Sequence, residues 1–183
     1  MSAAARLSTL AAATALVAAC AGPSPAPMAS ASRMSVPEAV RVPSSDRLRM
    51  ETVGVGELTY ECRPKRDAAG QFEWAFAGPV ATLYDRNRMA VGKYYGGPTW
   101  ESNDGSKVTG TQVAVAPSAT PKSIPLQLVK ANPATGTGAM QGVTYIQRLN
   151  TQGGVAPEAP CGAANAGAKM QVPYQADYLF YGS

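Results

Sequence analysis

The stretch Trp100-Glu101-Ser102-Asn103-Asp104-Gly105-Ser106-Lys107-Val108 decides the fold class. Asp-Gly lies between two short strand-like segments and suits a type I′ turn, which needs positive φ at both central residues. The stretch therefore predicts an antiparallel hairpin. Outward from it, a period of two recurs on both sides. Leu58, Tyr60 and Cys62 fall on one face of a strand, and Glu57, Thr59 and Glu61 on the other. Phe72, Trp74 and Phe76 repeat the pattern and are expected in the core, until Gly78-Pro79 breaks the run. Val80 to Tyr84 reads as a strand, Asp85-Arg86-Asn87-Arg88 as a polar turn, and Met89 to Tyr95 as the next strand. Further strands are expected at 108–115, 124–130, 143–149 and 169–181, where Pro173 marks an edge or a bulge. Two long loops, Asn132 to Gln141 and Thr151 to Ala168, are rich in Gly and Ala. No helical periodicity with caps is visible. The expectation is an all-β, mostly antiparallel domain over residues 46–183, a single sandwich or barrel-like unit.

Ahead of that domain the chain changes character. Residues 1–19 carry a lone Arg6, an apolar run from Leu7 to Val17 and small residues before Cys20, the layout of an export signal. The run is shorter than the about 20 residues a membrane span needs. Val17-Ala18-Ala19-Cys20 also fits a lipoprotein box, in which the cysteine is acylated and becomes the new N-terminus; plain signal cleavage is the alternative. Ala21 carries no inner-membrane retention signal, so outer-membrane anchoring is expected, with a secreted or periplasmic protein as the alternative. Residues 20–45 are dominated by Pro, Ala and Ser and read as a disordered tether. At roughly 3 Å per residue such a tether reaches about 75 Å.

The chain has three cysteines. With Cys20 assigned to lipid, Cys62 and Cys161 remain as a pair in a disulfide-permitting compartment. A bridge between them closes a loop of about 100 residues, for which chain entropy gives roughly 4–5 kcal/mol; two reduced thiols are the alternative. Charge is mild. Arg6 is the only charged residue before Cys20, so 15 of the 16 basic side chains face 12 acidic ones after cleavage. No basic stripe with interleaved aromatics is present, so no nucleic-acid partner is expected.

The chain contains no histidine. That excludes Ser-His-Asp and Cys-His catalysis and histidine-based zinc or copper sites. Cys-x-x-Cys and phosphate-cradling loops are absent too, so neither a cofactor nor a metal is expected. Carboxylates remain. Glu101 and Asp104, with Asp85, could approach the about 5 Å or 6.5–9.5 Å spacing of glycoside hydrolases, although Asp104 is equally explained as a turn residue. The richer constellation comprises Tyr94, Tyr95, Trp100, Glu101, Asn103 and Asp104, with Lys93 beside them. Aromatic faces next to amide, carboxylate and ammonium groups suit a sugar, whose C–H faces stack while its hydroxyls hydrogen-bond. Packing competes with that reading: Trp100 and Tyr95 could fill the core while Gly96-Gly97-Pro98 turns the chain. Arg148 is expected to pair with a buried acid such as Asp177 or Asp85 rather than to form an anion site.

The motifs run in a recognisable order. They are Tyr60-x-Cys62, Trp74-x-Phe76-x-Gly78-Pro79-x-Ala81-x-Leu83-x-Asp85, Gly97-Pro98-Thr99-Trp100-Glu101, Asp104-Gly105-Ser106-Lys107-Val108-x-Gly110 and Val143-Thr144-Tyr145-Ile146-Gln147-Arg148. Val172-Pro173-Tyr174-x-Ala176-x-Tyr178-x-Phe180-Tyr181 completes the set. The chain resembles, from about Leu48 to Tyr181, a family of secreted bacterial and fungal proteins known only as a domain of unknown function. The resemblance implies an exported β-rich domain with the same cysteine pair and no established activity. Some fungal relatives carry a malate dehydrogenase label, which gains no support here: the chain lacks the Gly-x-Gly-x-x-Gly fingerprint and any histidine. Where the resemblance leads one to expect His in Gly-Lys-His-Tyr, this chain has Tyr94, so an activity needing that imidazole is not expected.

The functional expectation is a non-enzymatic exported lipoprotein, membrane-bound through its lipid, that binds a glycan or an envelope protein around Tyr94 to Asp104. A carboxylate-dependent polysaccharide hydrolase and a purely structural or stress-related envelope lipoprotein are the rivals.

Overall fold

Eight strands pair in chain order, and the first also pairs with the last. In the computed structural model, which describes residues 36–183, these are β1 (Arg47–Pro64), β2 (Phe72–Tyr84), β3 (Ala90–Tyr95) and β4 (Thr99–Ser102), followed by β5 (Lys107–Ala116), β6 (Leu126–Ala131), β7 (Tyr145–Gly153) and β8 (Lys169–Gly182). All neighbours are antiparallel, and β1 joins both β2 and β8, so the sheet closes as an up-and-down barrel. Of the two all-β architectures expected, the closed one forms. The expected signal segment (residues 1–19), Cys20 and residues 21–35 of the expected tether lie outside the described residues.

Closure demands sharply bent strands, and glycine supplies the bend where two backbones approach. A Cβ on Gly54 would lie 2.6 Å from the Tyr178 ring, and one on Gly56 2.5 Å from the Ala81 Cα. Both glycines share the inward face of β1 with Leu58 and Tyr60, where any side chain would displace the core.

The interior is dense and aromatic. Tyr94 stacks on Trp100 at 4.8 Å between ring centroids, and Tyr178 lies 5.1 Å from Tyr94 and 5.9 Å from Trp100. Leu83, Val108, Val129, Ile146 and Phe180 fill the space around them, while Met140 and Val143 from the β6–β7 loop join the same core.

Four sequence expectations change. Asp104-Gly105 does not form a type I′ turn: Gly105 has φ 87°, but Asp104 is not at positive φ. Gly105 N–H instead donates to the Ser102 carbonyl at 2.9 Å, so Asn103 and Asp104 occupy the turn and Gly105 the left-handed bulge of a three-residue loop. Gly78-Pro79 does not end its strand. β2 runs through it with Thr59 opposite Gly78 and Tyr60 opposite Phe76, leaving Ala77 as the extra residue of a bulge. Beyond Val80, β2 has no β3 partner, while β1 stays paired with β8 as far as Glu61. Phe72 and Trp74 are therefore only half-buried and Phe76 is 55% exposed, not core. The third change is Pro173, which lies in neither an edge strand nor a bulge: it stands opposite Glu57 on β1, just past the last β7 pair, where its carbonyl accepts from Gly154 N–H at 3.0 Å and a missing donor costs least.

The fourth change concerns residues 36–45, read from composition as tether. Val40 is fully buried against Ala116 and Leu128 on the outside of β5 and β6, with Val36 and Val42 beside it. Gln147, itself buried, donates to the Val40 carbonyl at 2.5 Å. Pro and Ser mask three valines that suffice to cover this wall.

Cys62 and Cys161 form the expected disulfide, with Cα atoms 5.6 Å apart. It fastens the β7–β8 loop to the β1–β2 hairpin, where Trp74 Nε1 also donates to the Ala159 carbonyl at 2.8 Å.

Candidate functional site

Strand alternation divides the six candidate residues. On β3 and β4 the even positions point inward, so Tyr94 and Trp100 belong to the core, 6% and 1% exposed. Burial raises the Tyr94 hydroxyl pKa well above the usual phenol range, with Tyr178 adding to the effect. The Trp100 indole N–H is buried without a partner. Neither ring can meet a ligand from solvent.

Tyr95 and Glu101 point outward and meet each other. Tyr95 Oη donates to Glu101 Oε2 at 2.6 Å, while Lys93 and Lys107 flank the carboxylate at 3.3 and 3.2 Å. The Lys93 ammonium also lies 5.7 Å from the Tyr95 ring centroid. The Tyr95 hydrogen bond is the largest single cause lowering the Glu101 pKa, with the two lysines adding to it, and the same bond raises that of Tyr95. Val80, 65% exposed, stands directly opposite Tyr95 on β2. The wall thus presents a phenol, a carboxylate and two ammonium groups beside apolar surface.

Asn103 and Asp104 serve the turn. Asn103 Nδ2 donates to the Ala90 carbonyl at 2.8 Å. Asp104 accepts from the Ser106 hydroxyl at 2.6 Å, the Ser106 N–H at 2.9 Å and the Ala139 N–H at 2.8 Å. These donors hold its pKa at about 2, the Ser106 side chain contributing most. Ser106 Oγ in turn accepts from Met140 N–H at 3.1 Å. Asp104 therefore ties the β6–β7 loop, with its core residue Met140, to the β4–β5 hairpin.

The structure thus brings Tyr95 and Glu101 together and separates them from the other four. Two surface hollows lie elsewhere, one between Arg41, Pro43, Asp46 and Tyr181, another between Arg49, Glu51, Asp85 and Arg86. Asp85 is also committed locally, accepting from Asn87 and Met89 N–H at 2.8 and 2.9 Å. No group of acids or cysteines with metal-binding geometry occurs among the described residues.

Arg148 departs from its expected role. Asp177 is bonded to Asn150 Nδ2 at 2.5 Å, Asp85 caps its own turn, and neither pairs with Arg148. Arg148 instead donates to the Pro125 carbonyl from Nε and Nη2 at 3.2 and 3.0 Å. The signal for its inward placement is its spacing, two positions beyond Ile146, and not its charge.

The family described as "Protein of unknown function (DUF3455)" matches residues 43–182, nearly the whole described chain. The chain belongs to the DUF3455 family. The match begins just after Val40 and Val42 and ends with the last residue of β8, so the DUF3455 unit is the complete barrel. No curated protein and no solved structure matches the chain. Membership therefore says what kind of domain this is and leaves its chemistry to the residues themselves.

Proposed function

We propose that this DUF3455 protein is an exported, lipid-anchored binding protein without catalytic activity, whose barrel presents the outer wall around Tyr95 to an envelope glycan or an envelope protein. One observation carries the reading: Tyr95, Lys93, Glu101 and Lys107 are locked together on an outward wall beside exposed Val80. Such a wall can stack an apolar sugar face and bond its hydroxyls without prior rearrangement. Export and lipidation at Cys20 are supported by the leader-like composition and by the Cys62–Cys161 bridge, which suits an oxidising compartment.

The chemistry of the two candidate acids, Glu101 and Asp104, favours binding over hydrolysis. A glycosidase needs one carboxyl group whose pKa is raised so that it can donate a proton. Glu101 and Asp104 are both shifted the other way, and each is already occupied by several donors.

Envelope fractions labelled with radioactive palmitate, together with a glycan array, test the proposal. The expected result is palmitate on the wild-type chain and none on Cys20→Ala, with array binding that disappears in Tyr95→Ala. Absence of lipid would remove the anchor; array binding indifferent to Tyr95→Ala and Lys93→Ala would remove the wall.

A further inference from the structure

Inside the barrel, the polar side chains gather around Arg148. It follows fully buried Ile146 by two positions on β7 and stands directly opposite Gln127 of β6 and Tyr178 of β8. It therefore shares the inward face with both. A guanidinium carries five N–H donors, and the protein contacts of two of its nitrogens go to a single carbonyl, that of Pro125. Among the described residues no carboxylate oxygen lies within 4.0 Å of it.

The surroundings suit an anion. Burial raises the pKa of Tyr60, Tyr94, Tyr174 and Tyr178, and the Arg148 charge opposes that rise in every one. The Tyr174 and Tyr178 hydroxyls lie 3.2 Å apart on the buried side of this cluster. On its other side Gln127 donates to Gln112 at 2.6 Å. Gln112 stands opposite the core residue Val129, and Val115 opposite Gln127, so both belong to the inward side of the wall. Yet Gln112 is exposed and Val115 is 45% exposed. Solvent therefore reaches the inward side at this sector, where the amides and the guanidinium form a row.

We infer that this row is an oxyanion-binding site, in which Arg148 receives a carboxylate or phosphate group of a small ligand and the Gln112–Gln127 amide pair bonds its neighbouring polar atoms. A partly desolvated guanidinium without a counter-ion is the group most improved by such a ligand, because its planar donors match two oxygens at once. Exposed Val115 supplies an apolar edge at the entrance. The site lies on the inner side of β5–β7 and does not depend on the Tyr95 wall.

Nuclear magnetic resonance of the full-length chain at constant ionic strength provides the test, with sodium glucuronate, inorganic phosphate and uncharged glucose as probes. Glucuronate or phosphate is expected to shift the Arg148 Nε–H and Gln127 side-chain amide signals saturably, and glucose to leave them in place. Preference between the two anions distinguishes a carboxylate from a phosphate ligand. Arg148→Gln should weaken binding about tenfold or more, and Arg148→Lys less, because a point charge replaces the fork. Gln127→Glu supplies an internal carboxylate opposite the guanidinium and should abolish binding without removing the cation, which keeps the test open should Arg148→Gln fail to fold. Signals unmoved by either anion, or saturable shifts that survive in both Arg148→Gln and Gln127→Glu, would overturn the inference.

Discussion

Tyr94 and Tyr95 are neighbours in sequence and identical in chemistry, yet one is sealed in the barrel and the other stands on its outer wall. Tyr94 packs between Trp100 and Tyr178, whereas Tyr95 holds Glu101 in a cluster open to solvent. Trp100 and Glu101 divide in the same way one strand further on. Clustering in sequence therefore does not make a site in a sheet. Alternation sends consecutive residues to opposite environments, and only every second one can serve a given ligand.

The sharpest way to break this comparison is to truncate one residue from each face. Trp100→Ala removes a large ring from a packed aromatic cluster and should cost about 3–5 kcal/mol, read as a lower midpoint in urea or heat. Tyr95→Ala removes a half-buried ring from the outer wall and should lower the midpoint far less than Trp100→Ala, while abolishing any wall-dependent binding. A stability loss in Tyr95→Ala comparable to that of Trp100→Ala would mean that the two faces are not energetically distinct.

The same alternation explains what is legible in the sequence. The number and direction of the strands follow from period-two runs and turn residues, because a sheet buried on one face must alternate. The Cys62–Cys161 bridge follows from cysteine counting. Closure is not legible: nothing in β1 and β8 read separately says that Arg47–Pro64 pairs with Lys169–Gly182, since that ladder joins the two ends of the domain. The exposure of Phe76 is equally hidden, because the bulge at Ala77 turns it to the face of Tyr60 but β2 has no β3 partner beyond Val80 to enclose it there. The candidate site divides for a more instructive reason. Its residues share a chemical type over a span of eleven positions but not a surface, and their parity alone assigns Tyr94 and Trp100 to the interior.

The interior can also be sharpened in the opposite direction. Thr52 is 2% exposed and its hydroxyl has no partner. Thr52→Val keeps the shape and β-branching of the side chain while removing the unpaired polar atom. It should stabilise the protein by about 1 kcal/mol, seen as a raised urea midpoint with an unchanged slope. Trp100 offers no such relief, since every smaller replacement for its unpaired N–H also empties the space between Tyr94 and Tyr178.

The smallest effect belongs to the hairpin turn that links the two faces, and it depends on pH. Asp104 titrates at about 2 in the folded chain against 3.8 for an unperturbed aspartate, because Ser106 and Ala139 donate to its ionised form. A lowered acid pKa stabilises the fold fully above about pH 4; the contribution fades as pH falls and is gone below about 2. Asp177 runs the other way: burial raises its pKa, so its protonation favours the folded state as pH falls. Acid unfolding of the wild type mixes the two signs, and only a difference between variants isolates Asp104. Asp104→Asn should be less stable than wild type at pH 6, and the gap should close progressively between about pH 4 and pH 2 in urea titrations. A gap that stays constant across that range would show that the Asp104 charge does not hold the Met140 loop to the hairpin, leaving neutral hydrogen bonding and shape to do so.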